Sequence, residues 1–213
     1  MSHIAPVRRH HRASALAVLL VLSVAACKSS ADPADSTHAA NNPFAQLSME
    51  EQMKAMMELA TPGAEHQRLQ QLVGDWDLTI KMRFGPKEPW QEMPGTIEAK
   101  SVLGGRYVVQ HYQSTMMGQP FEGIGTLGYD RLKKRYTSSW ADSMSTWIVR
   151  TEGQAEGNAI DYRGMMVDSI TPHGRPMRTV ERLADPDHWT TAMYDTIEGE
   201  SVQVMEIHAT RRK

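Results

Sequence analysis

The chain changes rhythm at Gly74: before it apolar residues recur at helical spacing, and after it they alternate. Met49, Met53, Met56, Met57 and Ala60 form one stripe and predict a helix over Ser48–Ala60. Ser48 and Glu51 have the spacing of a capping box, in which each side chain satisfies a free backbone amide at the helix start. Thr61-Pro62-Gly63 ends this helix. A second is expected over Ala64–Val73, with Leu69, Leu72 and Val73 turned inward. Methionine stripes can serve as adaptable partner surfaces, but ordinary packing is the expectation here.

Ten strand-like runs follow, separated by turn signals. They are Asp75–Phe84, Gly95–Val102, Arg106–Thr115, Phe121–Tyr129, Arg135–Ala141, Met144–Glu152, Ala159–Val167, Met177–Leu183, His188–Asp195 and Ser201–Arg211. Short connections favour antiparallel neighbours in chain order. A long meander must also protect its edges, and closure removes them. The expected fold is therefore mainly β: a closed antiparallel up-and-down barrel of about ten strands behind one or two short helices. Polar residues occupy both faces of several strands. Gln110, Tyr112 and Ser114 share one face, as do Tyr136, Ser138 and Trp140. A solid core would want a cleaner apolar face, whereas a barrel with a partly polar lumen tolerates the mixture and can hold a small ligand.

Upstream, the pattern is of another kind. Met1–Arg12 carries Arg8, Arg9 and Arg12 and no acid, and Ala13–Ala26 is mainly apolar. That run is too short for a membrane span and fits a signal peptide. Val24-Ala25-Ala26-Cys27 resembles the lipobox of bacterial lipoproteins. The resemblance implies cleavage before Cys27 and a lipid-modified cysteine as the anchor. Lys28, where an Asp would imply inner-membrane retention, points to the outer membrane facing the periplasm. Residues 27–47 read as an anchored flexible tether, rich in Ser, Ala, Asp and Asn. The expected divisions are thus 1–26 signal peptide, 27–47 tether, 48–73 helices and 74–213 barrel. Cys27 is the only cysteine, so the domain must hold together by packing. Removing the leader leaves 20 basic against 25 acidic residues, a balance that argues against a nucleic-acid partner.

Candidate chemistry is sparse. Asp142, Ser143 and Met144 join two strands beside Trp140, and their polar atoms can face a ligand at a barrel mouth or cap their own turn. Glu206 lies opposite Met205 and Ile207 on its strand. If it points inward it demands a basic partner, and Arg178 or Arg182 can supply one. Trp140, Asp142, Ser143, Met144, Arg178 and Glu206 are therefore the candidate ligand contacts. His111 and His208 lie on strands, but no histidine pair has metal-site spacing and no nucleophile elbow occurs, so neither metal nor cofactor is expected.

Several short marks resemble the bacterial lipocalin-like domain-of-unknown-function family DUF1579. They are Gly74-Asp75-Trp76, Leu103-Gly104-Gly105-Arg106-Tyr107, Pro120-Phe121-Glu122-Gly123, Gly128-Tyr129-Asp130, Asp142-Ser143-Met144-Ser145-Thr146 and Arg211. The resemblance spans roughly His66–Lys213 and implies a closed lipocalin-like barrel, with Trp76 plugging one end. It implies no activity. Three readings follow: a barrel binding a small apolar or amphipathic molecule, an enzyme using Glu206 or Asp142 as general base, and an envelope partner protein contacting through its methionine-rich helix. Oligomeric state is left open.

Overall fold

The computed structural model describes residues 46–213, so the expected signal peptide and nearly all of the tether lie outside the described residues. Two helices come first, α1 (Met49–Ala60) and α2 (Ala64–Gln70). Ten strands follow: β1 (Gly74–Met82), β2 (Gln91–Val102), β3 (Tyr107–Met116), β4 (Gln119–Asp130), β5 (Arg135–Asp142), β6 (Val149–Glu156), β7 (Ala159–Met166), β8 (Arg175–Asp185), β9 (His188–Ile197) and β10 (Glu200–Arg211). Each strand pairs antiparallel with its successor, and β1 closes on β10. The expected up-and-down barrel is the observed one.

The pleat decides what faces the lumen. Trp76, Leu78 and Ile80 on β1 are buried, and their direct partners continue the inward set: Ile97, Gly95 and Met93 on β2, and Arg211, Ala209 and Ile207 on β10. Followed around the ring, that set includes Gln110 and Tyr112, Gly123 and Gly125, Ser138 and Trp140, Tyr162, Glu181, and Trp189 with Thr191. Inward residues near α2 are fully buried, while those at the far end, such as Trp140, Met166, Met193 and Met205, keep partial exposure. The barrel is filled at the α2 end, and at the other end its inward side chains are partly exposed.

The filled end is sealed by α2 and a two-residue clasp. Trp76 is 0% exposed, and its Nε1 donates to the Leu72 carbonyl at 2.9 Å. Arg211 lies over that indole at 4.1 Å and donates to the carbonyls of Val73 (2.7 Å), Gln71 (2.8 Å) and Pro186 (2.9 Å). Gly74, at φ 134°, leaves the guanidinium its room, since a Cβ there would stand 2.4 Å from Nη1. Arg68 fastens α2 to the β6–β7 turn through the carbonyls of Gly157 and Ala159.

Three expectations need correction. The sixth strand is Val149–Glu156, not Met144–Glu152, so Gly153, just beyond the expected run and readable as a turn glycine, lies inside the strand. It sits mid-strand because β7 passes so close that a Cβ would meet the Asp161 carbonyl oxygen at 2.5 Å. The second helix stops at Gln70, and Gln71 and Leu72 follow as a turn, with the Leu72 and Val73 amides donating to the Leu69 and Gln70 carbonyls. The methionine stripe does not pack: no residue of α1 is buried, and Met49 is 82% exposed.

Candidate functional site

The residues singled out by sequence separate into two groups. Trp140 and Asp142 point into the mouth, for they are the direct partners of Gly125 and Gly123 on the inward face of β4. A Cβ on Gly123 would stand 2.4 Å from the indole, so that glycine makes the seat for Trp140. Tyr112 meets the indole edge-on at 4.9 Å, and Phe121 stacks against it at 6.4 Å. Trp140 Nε1 donates to Asp142 Oδ2 at 2.8 Å.

The other contacts of the Asp142 segment are made within its own turn and to the neighbouring strand β4. Asp142 Oδ1 accepts from the Met144 amide at 2.9 Å. Ser143 exchanges two bonds with Glu122, donating its amide at 2.8 Å and accepting at Oγ at 3.1 Å. Met144 is exposed. Asp142 thus caps its own turn, Ser143 ties that turn to β4, and Trp140 and Asp142 are the members of the segment that face the mouth.

Arg178 and Glu206 face away from the lumen, which corrects the expected lumen ion pair. Arg178 donates to Asp161 at 2.9 Å on the outer wall and lies over the Tyr194 ring. Arg182 likewise faces out, to Asn158 Oδ1 at 2.8 Å. Glu206 pairs on the outer face with His208 at 2.5 Å. A β-bulge between Gln203 and Met205 is the cause: it shifts the alternation, so Val204, Ile207 and Ala209 are buried while Glu206 and His208 turn outward. His111, opposite Ile124 on β4, also faces out. The strand histidines therefore offer no imidazole to the lumen. Among the described residues no cluster of three metal-ligating side chains occurs.

The lumen's own polar centre is one that the sequence reading passed over. Glu181 on β8 points inward, with Thr191 directly opposite on β9 and Ile160 on β7. Its Oε2 is buried without a hydrogen-bond partner. The same holds for four other inward atoms: Gln110 Nε2, Tyr162 OH, Trp189 Nε1 and Thr191 Oγ1. Buried polar atoms are normally satisfied, and here five unsatisfied ones share one lumen. Burial alone pushes the Glu181 carboxyl up to about 7. Burial first, then the charge of Glu181, raises the phenols of Tyr112 and Tyr162, which stay neutral. Beneath α2, a crevice of about 20 Å³ reaches Glu181 between Leu69, Leu72, Ile160, Leu183 and Trp189, room for one water molecule. The signal for Glu181 was present: Met177, Thr179, Glu181 and Leu183 share the face opposite Arg178 and Arg182, and the two apolar members mark it as inward.

Known proteins add the fold but no chemistry. The crystal structure of Rv2717c from M. tuberculosis is similar, with 14% identity and a TM-score of 0.51 over 72% of this chain and all of that one. No curated protein matches. The family model described as "Protein of unknown function (DUF1579)" matches residues 61–211. That match covers more than two thirds of the sequence, and the chain belongs to the DUF1579 family.

Proposed function

We propose that the barrel is a binding module for one small molecule with an apolar body and a hydrogen-bonding head. The molecule enters at the end away from α2, past Trp140, Tyr112 and the inward methionines, which are partly exposed there. The supporting observation is the set of five inward polar atoms without partners, because a ligand head supplies what the protein withholds. The lipoprotein-like leader supports an envelope location for this module, with Cys27 as its anchor. Native mass spectrometry tests the binding reading. The full chain carrying Cys27→Ser, incubated with envelope extract, should retain one small adduct. Met193→Trp, which fills the mouth, should lose it. A wild-type lumen that stays bare under conditions preserving weak complexes would reject the module.

One observation favours a second reading, general acid–base catalysis. A carboxyl pushed up to about 7 by desolvation inside a barrel is suited to proton transfer. Glu181, rather than Glu206 or Asp142, is the residue that would carry it. Turnover of an extract component that stops in Glu181→Gln, with binding retained, would select this reading.

A further inference from the structure

Three carboxylates point into the barrel, and two have partners. Asp142 accepts the Trp140 indole N–H at 2.8 Å. Asp195 is gripped by Arg175, Nε to Oδ1 at 2.7 Å and Nη2 to Oδ2 at 2.6 Å. Glu181 has none. The two inward cations stand at opposite ends, Arg175 on Asp195 at the mouth and Arg211 over Trp76 at the floor. The middle of the lumen thus holds one acid and no base. We infer that the lumen takes an amphiphilic amine, with its ammonium on Glu181 between Tyr162 and Thr191 and its apolar body against Tyr112 and Trp140. This rests on the ligand-binding reading above and names its ligand class.

The chemistry selects among head groups. An ammonium has three donors and no acceptor. Glu181 Oε2, Tyr162 OH and Thr191 Oγ1 are three unpartnered oxygens on adjacent strands that can all accept. A carboxylate head would bring a second negative charge beside the first, and an alcohol, with a single O–H donor and no charge, would reach only one of the three acceptors and leave the carboxylate's charge unbalanced. Aromatic walls suit a cation with an apolar tail. The other ionisable groups around Glu181 do not compete. Tyr112 and Tyr162 are neutral. Arg68 and Arg182 line the crevice beneath it, but their guanidinium groups are held by the Gly157 and Ala159 carbonyls and by Asn158.

Binding is then linked to a proton. Without an amine, burial favours the protonated Glu181 carboxyl below about pH 7. When an ammonium arrives, the Glu181 O–H bond breaks, the proton leaves to solvent, and the carboxylate accepts an ammonium N–H. Affinity should be flat above about pH 7 and fall about tenfold per pH unit below it, with up to one proton released per amine.

The test uses the full chain carrying Cys27→Ser and three probes of equal tail: n-octylamine, 1-octanol and octanoate. Isothermal titration at pH 5.5, 6.5 and 8, in buffers of differing ionisation enthalpy, should show one site. Octylamine should bind at least about tenfold tighter than octanol at pH 8, with proton release that grows as pH falls below 7. Glu181→Gln should bind octylamine and octanol alike, without pH dependence. Octanol or octanoate binding as tightly as the amine, or a pH dependence surviving Glu181→Gln, would overturn the amine and leave the binding module standing. Failure of all three probes to bind would remove both. Should the variant unfold, the wild-type head-group series and proton count decide alone.

Discussion

Glu181 and Thr191 face each other directly across the β8–β9 ladder, both inside the barrel, and neither Glu181 Oε2 nor Thr191 Oγ1 has a hydrogen-bond partner. A directly opposed polar pair that does not bond, in a low-dielectric interior, is unfavourable for folding on its own. Its cost has a pH signature. The folded carboxyl titrates near 7 and the unfolded one near its ordinary 4.5, so between those values the native chain binds more protons. Stability should fall as pH rises from about 4.5 to 7 and level off above. Glu181→Gln should flatten that slope and stabilise the protein at pH 8 by on the order of 2 kcal/mol. Urea unfolding of wild type and variant at pH 5 and pH 8 measures it, and a variant no more stable than wild type at pH 8 would contradict it.

Arg211 and Arg178 should differ sharply when removed. Arg211 joins β10 to the α2–β1 junction with two carbonyl bonds and to the β8–β9 turn with a third, and it covers the Trp76 ring. Arg211→Ala should cost about 3 kcal/mol, leaving those carbonyls unpaired and the indole uncovered. Arg178 makes an outer-wall pair whose Arg is more than a third exposed, and Arg178→Ala should cost under about 1 kcal/mol. Thermal melts of the two variants side by side give the comparison.

Gly123→Ala should push Trp140 from its seat, because the added Cβ would stand 2.4 Å from the ring. The indole would have to leave Tyr112 and Asp142 as it moves. A loss of about 1–3 kcal/mol is expected, together with a changed near-ultraviolet dichroism signal. An unchanged spectrum would mean that the ring is not packed on that glycine.

Cys27→Ser should abolish incorporation of labelled palmitate and move the protein from the membrane fraction to the soluble one. One acyl chain binds only reversibly, so stable retention requires the several chains of a lipoprotein anchor. Continued membrane association of the variant would mean that another segment holds it there.

The barrel was legible because its evidence is periodic and local: alternation within strands, glycine or proline between them, and connections too short for anything but hairpins. Gly153 misled because a glycine that permits close strand approach resembles one that makes a turn. The site was harder to read for a related reason. Facing is a property of phase, and the bulge near Met205 resets the phase of β10 just before Glu206. Glu181 had no such disturbance, but the pair Arg178 and Arg182 drew attention to the wrong face of β8. The exposure of the α1 methionines had no sequence signal at all, since a helical stripe looks the same whether or not a surface covers it.

The ladder between β1 and β10 pairs Trp76 with Arg211, residues from the two extremes of the barrel's sequence. Nine of the ten ladders are local hairpins that can zip as they form, but the tenth waits for the end of the chain. Ring closure should therefore be the late, slow step of folding. The species most prone to self-association is the nearly complete meander with β1 and β9 still unpaired. A chain that loses its final dozen residues would keep almost every side chain of the lumen and still expose two unpaired strand edges.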